Sequence, residues 1–192
     1  SSAPPIHQGV NATRPEGEVK YISSVGGAGG PTIEALEALI QELEGAAWTV
    51  AVPSGMAAIH HLFMSLLAAG DRVVVHSSVY EYATELLNDD LPKRFGVEVE
   101  WVDMRDLDAL KTALQKPTKL VYFEPITNPA FHVVDVAAII DLAHQAGALA
   151  AMDNTLLTPY LFRPIPTLKA DIVLHSATKY LGGHGDALSG VI

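Results

Sequence analysis

The sequence predicts an α/β fold: a mostly parallel sheet flanked by helices, preceded by an extended N-terminal arm. Two observations carry this prediction. Short apolar runs recur at 48–52, 72–76, 97–102, 119–124, 148–152 and 171–175, too short for helices and, for the most part, too continuously apolar for half-exposed strands. Helical patterns fill most of the gaps, at 55–69, 80–94, 106–115 and 133–146, and such alternation gives parallel strands with helices on both faces. Ligands then bind beyond the carboxyl ends of the strands.

Taken in order, residues 1–30 are rich in Gly, Pro and Ser and hold no sustained period, and their most flexible part is Gly26-Gly27-Ala28-Gly29-Gly30. A first helix opens at Pro31-Thr32 and closes at Gly45, with Leu36, Leu39, Ile40 and Leu43 on one face. The strand and helix alternation begins at residue 46. The last residues, Gly190-Val191-Ile192, start one more apolar strand, and there is no initiator methionine; the expectation is a large domain that continues past this chain. No internal repeat or low-complexity tract is evident.

Length and composition fit a globular chain able to bury a core: 192 residues, 49% hydrophobic and 18% charged. Twelve Lys and Arg against 22 Asp and Glu give a formal charge of −10, which opposes nucleic acid and anionic membrane as partners. A phosphorylated cofactor answers to local donors instead. There are no cysteines, which excludes disulfides, zinc-thiolate sites and thiol nucleophiles and fits a cytoplasmic location. No stretch reaches membrane-spanning length, and the opening Ser1-Ser2-Ala3-Pro4-Pro5 lacks a signal-peptide layout. His60 and His61 are adjacent and point apart on a helix, and the other six histidines lack ligand spacing; no metal site is expected.

The most informative run is His175-Ser176-Ala177-Thr178-Lys179-Tyr180-Leu181-Gly182-Gly183-His184. A lysine between an apolar strand and a glycine turn is expected to be buried, which favours the neutral, nucleophilic amine. Ser176 and Thr178 add hydroxyl donors suited to a phosphate. An amine beside a phosphate cradle is what pyridoxal 5'-phosphate requires, whereas a lone lysine after a strand is more often a surface residue.

Other polar groups follow strands. Pro53-Ser54-Gly55-Met56-Ala57 opens a helix, so this small-residue turn aims free backbone N–H groups at an anion, or Ser54 is a plain cap. Asp153, with Asn154 and Thr155 after it, could pair with a protonated pyridine nitrogen or cap a loop. Asn128, in Glu124-Pro125-Ile126-Thr127-Asn128-Pro129, could reach a ring oxygen or serve the turn. Tyr80 could lie on a flat ring or pack at its helix start.

Together these segments resemble the Cys/Met-metabolism family of pyridoxal-phosphate enzymes, which includes cystathionine γ-synthase, cystathionine γ- and β-lyases, methionine γ-lyase and O-acetylhomoserine sulfhydrylase. The resemblance runs from Pro4-Pro5-Ile6-His7-Gln8 to the end of the chain, and its most specific stretch is Asp171 to Gly185. It implies the large domain of a fold-type I transferase at 46–192, with the arm and first helix (1–45) making subunit contacts in a homo-oligomer, a dimer of dimers. It implies that Lys179 forms the Schiff base and that Gly55, Met56, Ser176 and Thr178 hold the phosphate. Asp153, with Thr155 beside it, serves the pyridine nitrogen; Tyr80 stacks on the ring and Asn128 contacts its hydroxyl. Lys179 and Tyr80 are the implied catalytic residues.

The sequence departs from the family in one place. The family carries Tyr-Ser-Arg before Gly-Asn-Pro-Thr, whose tyrosine and arginine reach a neighbouring subunit's phosphate. Here Pro31-Thr32 match, no arginine stands just before them, and Tyr21 is the single candidate tyrosine. Lysine or serine would not replace the bidentate guanidinium contact. The family's small C-terminal domain, with its substrate-carboxylate arginine, would lie past residue 192.

The implied activity is β- or γ-elimination, or γ-replacement, on a sulfur-containing or O-acylated amino acid. Two other readings are transamination on the same fold, and a non-catalytic or incomplete chain that needs a partner polypeptide.

Overall fold

The computed structural model describes residues 11–13, 19–21 and 30–192, with side chains from residue 30 onward. The clamp region 22–29 and the motif at 4–8 lie outside the described residues, as does most of the arm. The arm contains one feature its composition did not announce: β1 (Asn11–Thr13) pairs antiparallel with β2 (Val19–Tyr21).

Helix α1 (Pro31–Glu44) starts with proline at its first position and stops at Gly45, whose φ of 69° ends the helix in the left-handed region. Strand β3 (Ala51–Val52) leads into α2 (Gly55–Leu66), capped by the Ser54 hydroxyl accepting from the Ala57 N–H at 3.0 Å. After β4 (Arg72–His76) comes a helical stretch in three parts: α3 (Glu81–Glu85), a π-helical turn over Leu86–Asp90, and α4 (Leu91–Phe95). The widened turn precedes Pro92, which has no N–H and would crowd the Asn88 carbonyl in a regular helix. Then follow β5 (Glu98–Val102), α5 (Leu107–Ala113), β6 (Leu120–Phe123), α6 (Val136–Gln145) and β7 (Leu149–Asp153). The chain ends with α7 (Thr158–Leu161), α8 (Pro164–Leu168), β8 (Ile172–Leu174) and β9 (Gly190–Val191).

The main sheet is parallel throughout, in the order β5-β4-β6-β7-β8. Its alternating side chains feed two cores. Val73, Val75, Leu120 and Tyr122 pack toward Phe63, Leu87 and Leu91, with the Phe63 and Tyr122 rings edge-on at 5.1 Å. Val74, Val121, Phe123 and Met152 pack toward Leu110, Ile139 and Ile140 on the other face. Sheet centre and helix faces are thus buried from both sides, as the continuous apolar runs require. Arg72, buried at the start of β4, is held by Thr118, Glu98 and Glu100. Among the described residues, no helix is long and apolar enough to cross a membrane.

The expected strand at 48–52 is corrected. Trp48 is exposed, and the short β3 that remains lies outside the five-stranded sheet, antiparallel to β9. Val50 and Ile192 extend that pair by exchanging N–H···O bonds of 2.9 and 3.0 Å. An antiparallel bridge from His175 to Val191 ties β9 to the end of β8. The helix expected at 133–146 begins three residues late, because Val133 bridges Ile126 and Asp135 is the cap, accepting from Ala138 N–H at 3.0 Å.

Candidate active site

The carboxyl ends of β4, β6, β7 and β8 open onto a cavity of about 740 Å³. It gathers every candidate the sequence offered: Gly55, Met56, Tyr80, Asn128, Asp153, Thr155, Ser176, Thr178 and Lys179. These come from five separate segments, brought together because each follows a strand of one parallel layer or its antiparallel extension.

At one end lies the start of α2. Helix geometry leaves the N–H groups of Gly55 and Met56 without carbonyls behind them, and the helix dipole favours an anion there. Gly55 touches the lysine segment directly: a Cβ on it would sit 2.5 Å from Ser176 Cβ and 2.7 Å from its Oγ. Gly55→Ala is therefore expected to force α2 and β8 apart, costing about 1–3 kcal/mol and weakening pyridoxal-phosphate binding tenfold or more. Urea denaturation and a fluorescence titration with the cofactor check both.

At the floor lies Asp153, a buried carboxylate. Its Oδ1 accepts from the Thr155 N–H at 3.0 Å and from the Thr155 hydroxyl at 2.5 Å, and that hydroxyl oxygen in turn accepts from the Ser176 N–H at 2.8 Å. Thr155 is thus a brace between the carboxylate and the lysine segment, since its single proton is committed to Asp153. Burial raises the Asp153 carboxyl above its ordinary range, against the lowering by the Thr155 bonds and by His175. His175 Nε2 lies 2.6 Å from Glu44 Oε1, both groups buried. Among the described residues no Lys or Arg pairs with Asp153, so the floor offers a carboxyl group without a cationic partner, fit to receive a cationic ring nitrogen.

Two expectations change. Lys179 is exposed; it lies in a turn after β8 where its N–H bonds to the Ser176 carbonyl at 3.1 Å. The apolar strand stops at Leu174, so its burial does not extend to the lysine. The Thr178 hydroxyl, expected to face a phosphate, donates to Ser189 O and accepts from Ser189 N, both at 3.0 Å. Its one proton fastens the returning chain, which leaves Ser176 as the free hydroxyl of the pair. Tyr80 is half-buried at the start of α3, its ring 5.6 Å from that of Tyr82. Asn128 is exposed on the loop after β6.

Sequence reasoning passed over Glu124, which it quoted only as the end of a strand. This buried carboxylate lines the cavity. Its Oε1 accepts from the Tyr80 N–H at 2.6 Å and its Oε2 from the Asn128 N–H at 2.9 Å. A carboxylate closing an apolar strand was the one available signal. Burial, then the charge of Asp153, push its pKa up to about 8 from an ordinary 4.5. The folded chain holds this proton over a range where the unfolded chain has released it. The cofactor-free protein is therefore expected to lose stability as pH rises from about 4.5 to about 8, by on the order of a few kcal/mol. Glu124→Gln is expected to flatten that decline, and thermal unfolding midpoints across this range test it.

The residues present fit pyridoxal phosphate: a helix N-terminus for the anion, a buried carboxyl group for the ring nitrogen, and an accessible amine, all lining one cavity. Comparison with known proteins agrees. The model of the family described as Cys/Met metabolism PLP-dependent enzyme matches residues 9–192. The chain is 39% identical over 197 residues to L-methionine gamma-lyase of Pseudomonas putida, covering 98% of this chain and 49% of that protein. It is 46% identical over 165 residues to cystathionine beta-lyase of Lactococcus lactis subsp. cremoris, covering 86% of this chain and 43% of that one. Among solved structures, a putative O-acetylhomoserine (thiol)-lyase from Campylobacter jejuni, crystallised with a pyridoxyl-lysine monophosphate, superposes with a TM-score of 0.80 at 33% identity, covering 85% of this chain and 39% of that one. The chain thus spans about half the length of the curated relatives it matches. With its cavity, its parallel sheet and these relatives, the chain belongs to the Cys/Met-metabolism family of pyridoxal-phosphate-dependent enzymes.

Proposed function

We propose that this chain forms the cofactor-binding part of a carbon–sulfur lyase or transsulfuration-type enzyme, acting on a sulfur-containing or O-acylated amino acid by β- or γ-elimination or by γ-replacement. The observation that carries this is the single cavity holding Lys179, Asp153 and the α2 N-terminus. Relatives named as methionine gamma-lyase, cystathionine beta-lyase and O-succinylhomoserine sulfhydrylase support the substrate class.

Pyridoxal phosphate, when bound, supplies an electron sink for the pair left at the substrate Cα. The chain's own residues do the rest. Lys179 would hold the cofactor covalently, and its amine would take the Cα proton and carry it onward as base and acid. The Gly55 and Met56 N–H groups and the Ser176 hydroxyl bind the phosphate. Asp153, braced by Thr155, keeps the ring nitrogen protonated. Tyr80 would lie against the ring and deliver a proton to the leaving group; Asn128 would bind the ring hydroxyl.

The cavity mouth favours an oligomer, since Tyr180 and Leu188 there are 66% and 70% exposed. Ile33, Leu39 and Leu43 on α1 are exposed apolar groups as well, which supports subunit contacts through residues 1–45. The intact protein loaded with pyridoxal phosphate is expected to release keto-acid, with ammonia in the lyase case, from L-cystathionine or L-methionine, or from an O-acylhomoserine with a thiol. Amino-group transfer to an added keto-acid, without ammonia, would replace elimination by transamination.

A further inference from the structure

Glu124 joins two walls of the cavity. Tyr80 stands at the start of α3, beyond β4, and Asn128 stands on the loop beyond β6. The two neighbouring parallel strands fix the bases of these walls but not their tips. The two oxygens of one carboxylate accept one backbone N–H from each tip, at 2.6 and 2.9 Å. Burying a carboxylate without a cation is costly, and among the described residues no Lys or Arg pairs with this one. An apolar residue would close the sheet end at lower cost, so the group's geometry answers to the cavity.

We infer that Glu124 is a positioning residue that sets Tyr80 and Asn128 at a fixed separation, so that the contact on the ring face and the contact on the ring edge are made together. This rests on the function proposed above. A carboxyl group suits the task because both of its oxygens can accept an N–H, the hydroxyl oxygen included while the group holds its proton. A glutamine in its place accepts with one oxygen and turns an NH₂ toward the second N–H, donor against donor. One wall is released while side-chain volume is kept. Burial and the charge of Asp153 raise the Glu124 pKa, and the two backbone N–H bonds act against that rise.

The test uses the intact protein, loaded with pyridoxal phosphate, as wild type, Glu124→Gln, Tyr80→Phe and the double variant. Borohydride reduction and mass spectrometry first ask whether wild type carries the cofactor on Lys179; failure at this step overturns the proposed function itself. With wild type loaded, Glu124→Gln is expected to retain the covalent cofactor. Its induced circular dichroism falls by half or more, and kcat drops about tenfold with a smaller change in KM. Tyr80→Phe lowers kcat in the wild-type background but costs several-fold less beside Glu124→Gln, because contacts acting as a unit are not additive. Wild-type dichroism in Glu124→Gln, or additive losses in the double variant, overturns the inference while the proposed function stands. Should Glu124→Gln fail to fold, Glu124→Asp, too short to reach both walls, replaces it with the same readouts. Misfolding of both variants assigns Glu124 to the fold alone and also overturns the inference.

Discussion

Lys179→Ala is expected to end covalent retention of pyridoxal phosphate and to lower turnover by about 10³-fold or more, the effect of removing a group proposed above as both nucleophile and proton carrier. The size of the effect follows from the cavity's inventory. Among the described residues lining it, Lys179 is the sole lysine, so none of the others offers a second amine. Its side chain is exposed and lies outside both cores, so the substitution removes chemistry and leaves packing alone. Gel filtration of the loaded variant, followed by absorbance and phosphate determination, separates covalent from simple binding. A variant that keeps a stable yellow band after filtration would move the attachment point elsewhere. Added primary amines are expected to restore a small part of the proton transfer.

Asp153→Asn is expected to lower kcat by roughly 10²- to 10³-fold, the range for removing one preorganised electrostatic partner, with little change in KM. Asparagine can still accept from the Thr155 N–H and hydroxyl, which now hold the Asp153 Oδ1 at 3.0 and 2.5 Å. The bracing of Ser176 through Thr155 survives as well. What disappears is the negative charge, and with it the reason for a ring nitrogen to stay protonated in a buried site. Removing that charge also relieves its neighbour: Glu124 is held up in part by Asp153, so its titration is expected to shift downward in this variant. Steady-state kinetics and the pH dependence of unfolding read these two effects separately. Wild-type kcat in Asp153→Asn would mean that the carboxylate serves only as an acceptor for Thr155.

The parallel strands were legible because sheets covered on both faces leave no polar alternation to confuse them, and β4, β6 and β8 fall within their predicted runs. The positions of Gly55, Asp153 and Ser176 were legible for a related reason: each is the polar punctuation at the end of such a run. Local pattern failed where the deciding contact was distant. Nothing in Trp48 to Val52 says that its partner is Gly190 to Ile192, running the other way. The exposure of Lys179 depends on where β8 stops and how the turn after it is drawn toward Ser189 by Thr178. The short helices α7 and α8, rich in proline, lack the length for a periodic signal. Glu124 escaped notice because its role lies in two backbone N–H groups, which a sequence does not display.

The pairing of β9 with β3 bears on the order in which the molecule acquires its structure. These strands are far apart in the sequence, and Gly190 passes so close to the Ser54 carbonyl that a Cβ there would collide with it. Closing so long a loop is slow in entropic terms and comes after local helices and neighbouring strands have formed. The segment from Ser176 to Ser189 is held between β8 and β9, so the amine and the anion-facing turn acquire their mutual spacing only when this last pair zips. Refolding followed by tryptophan or helix signals is therefore expected to run ahead of cofactor capture, with β3 and β9 amides the late group to gain protection from hydrogen exchange.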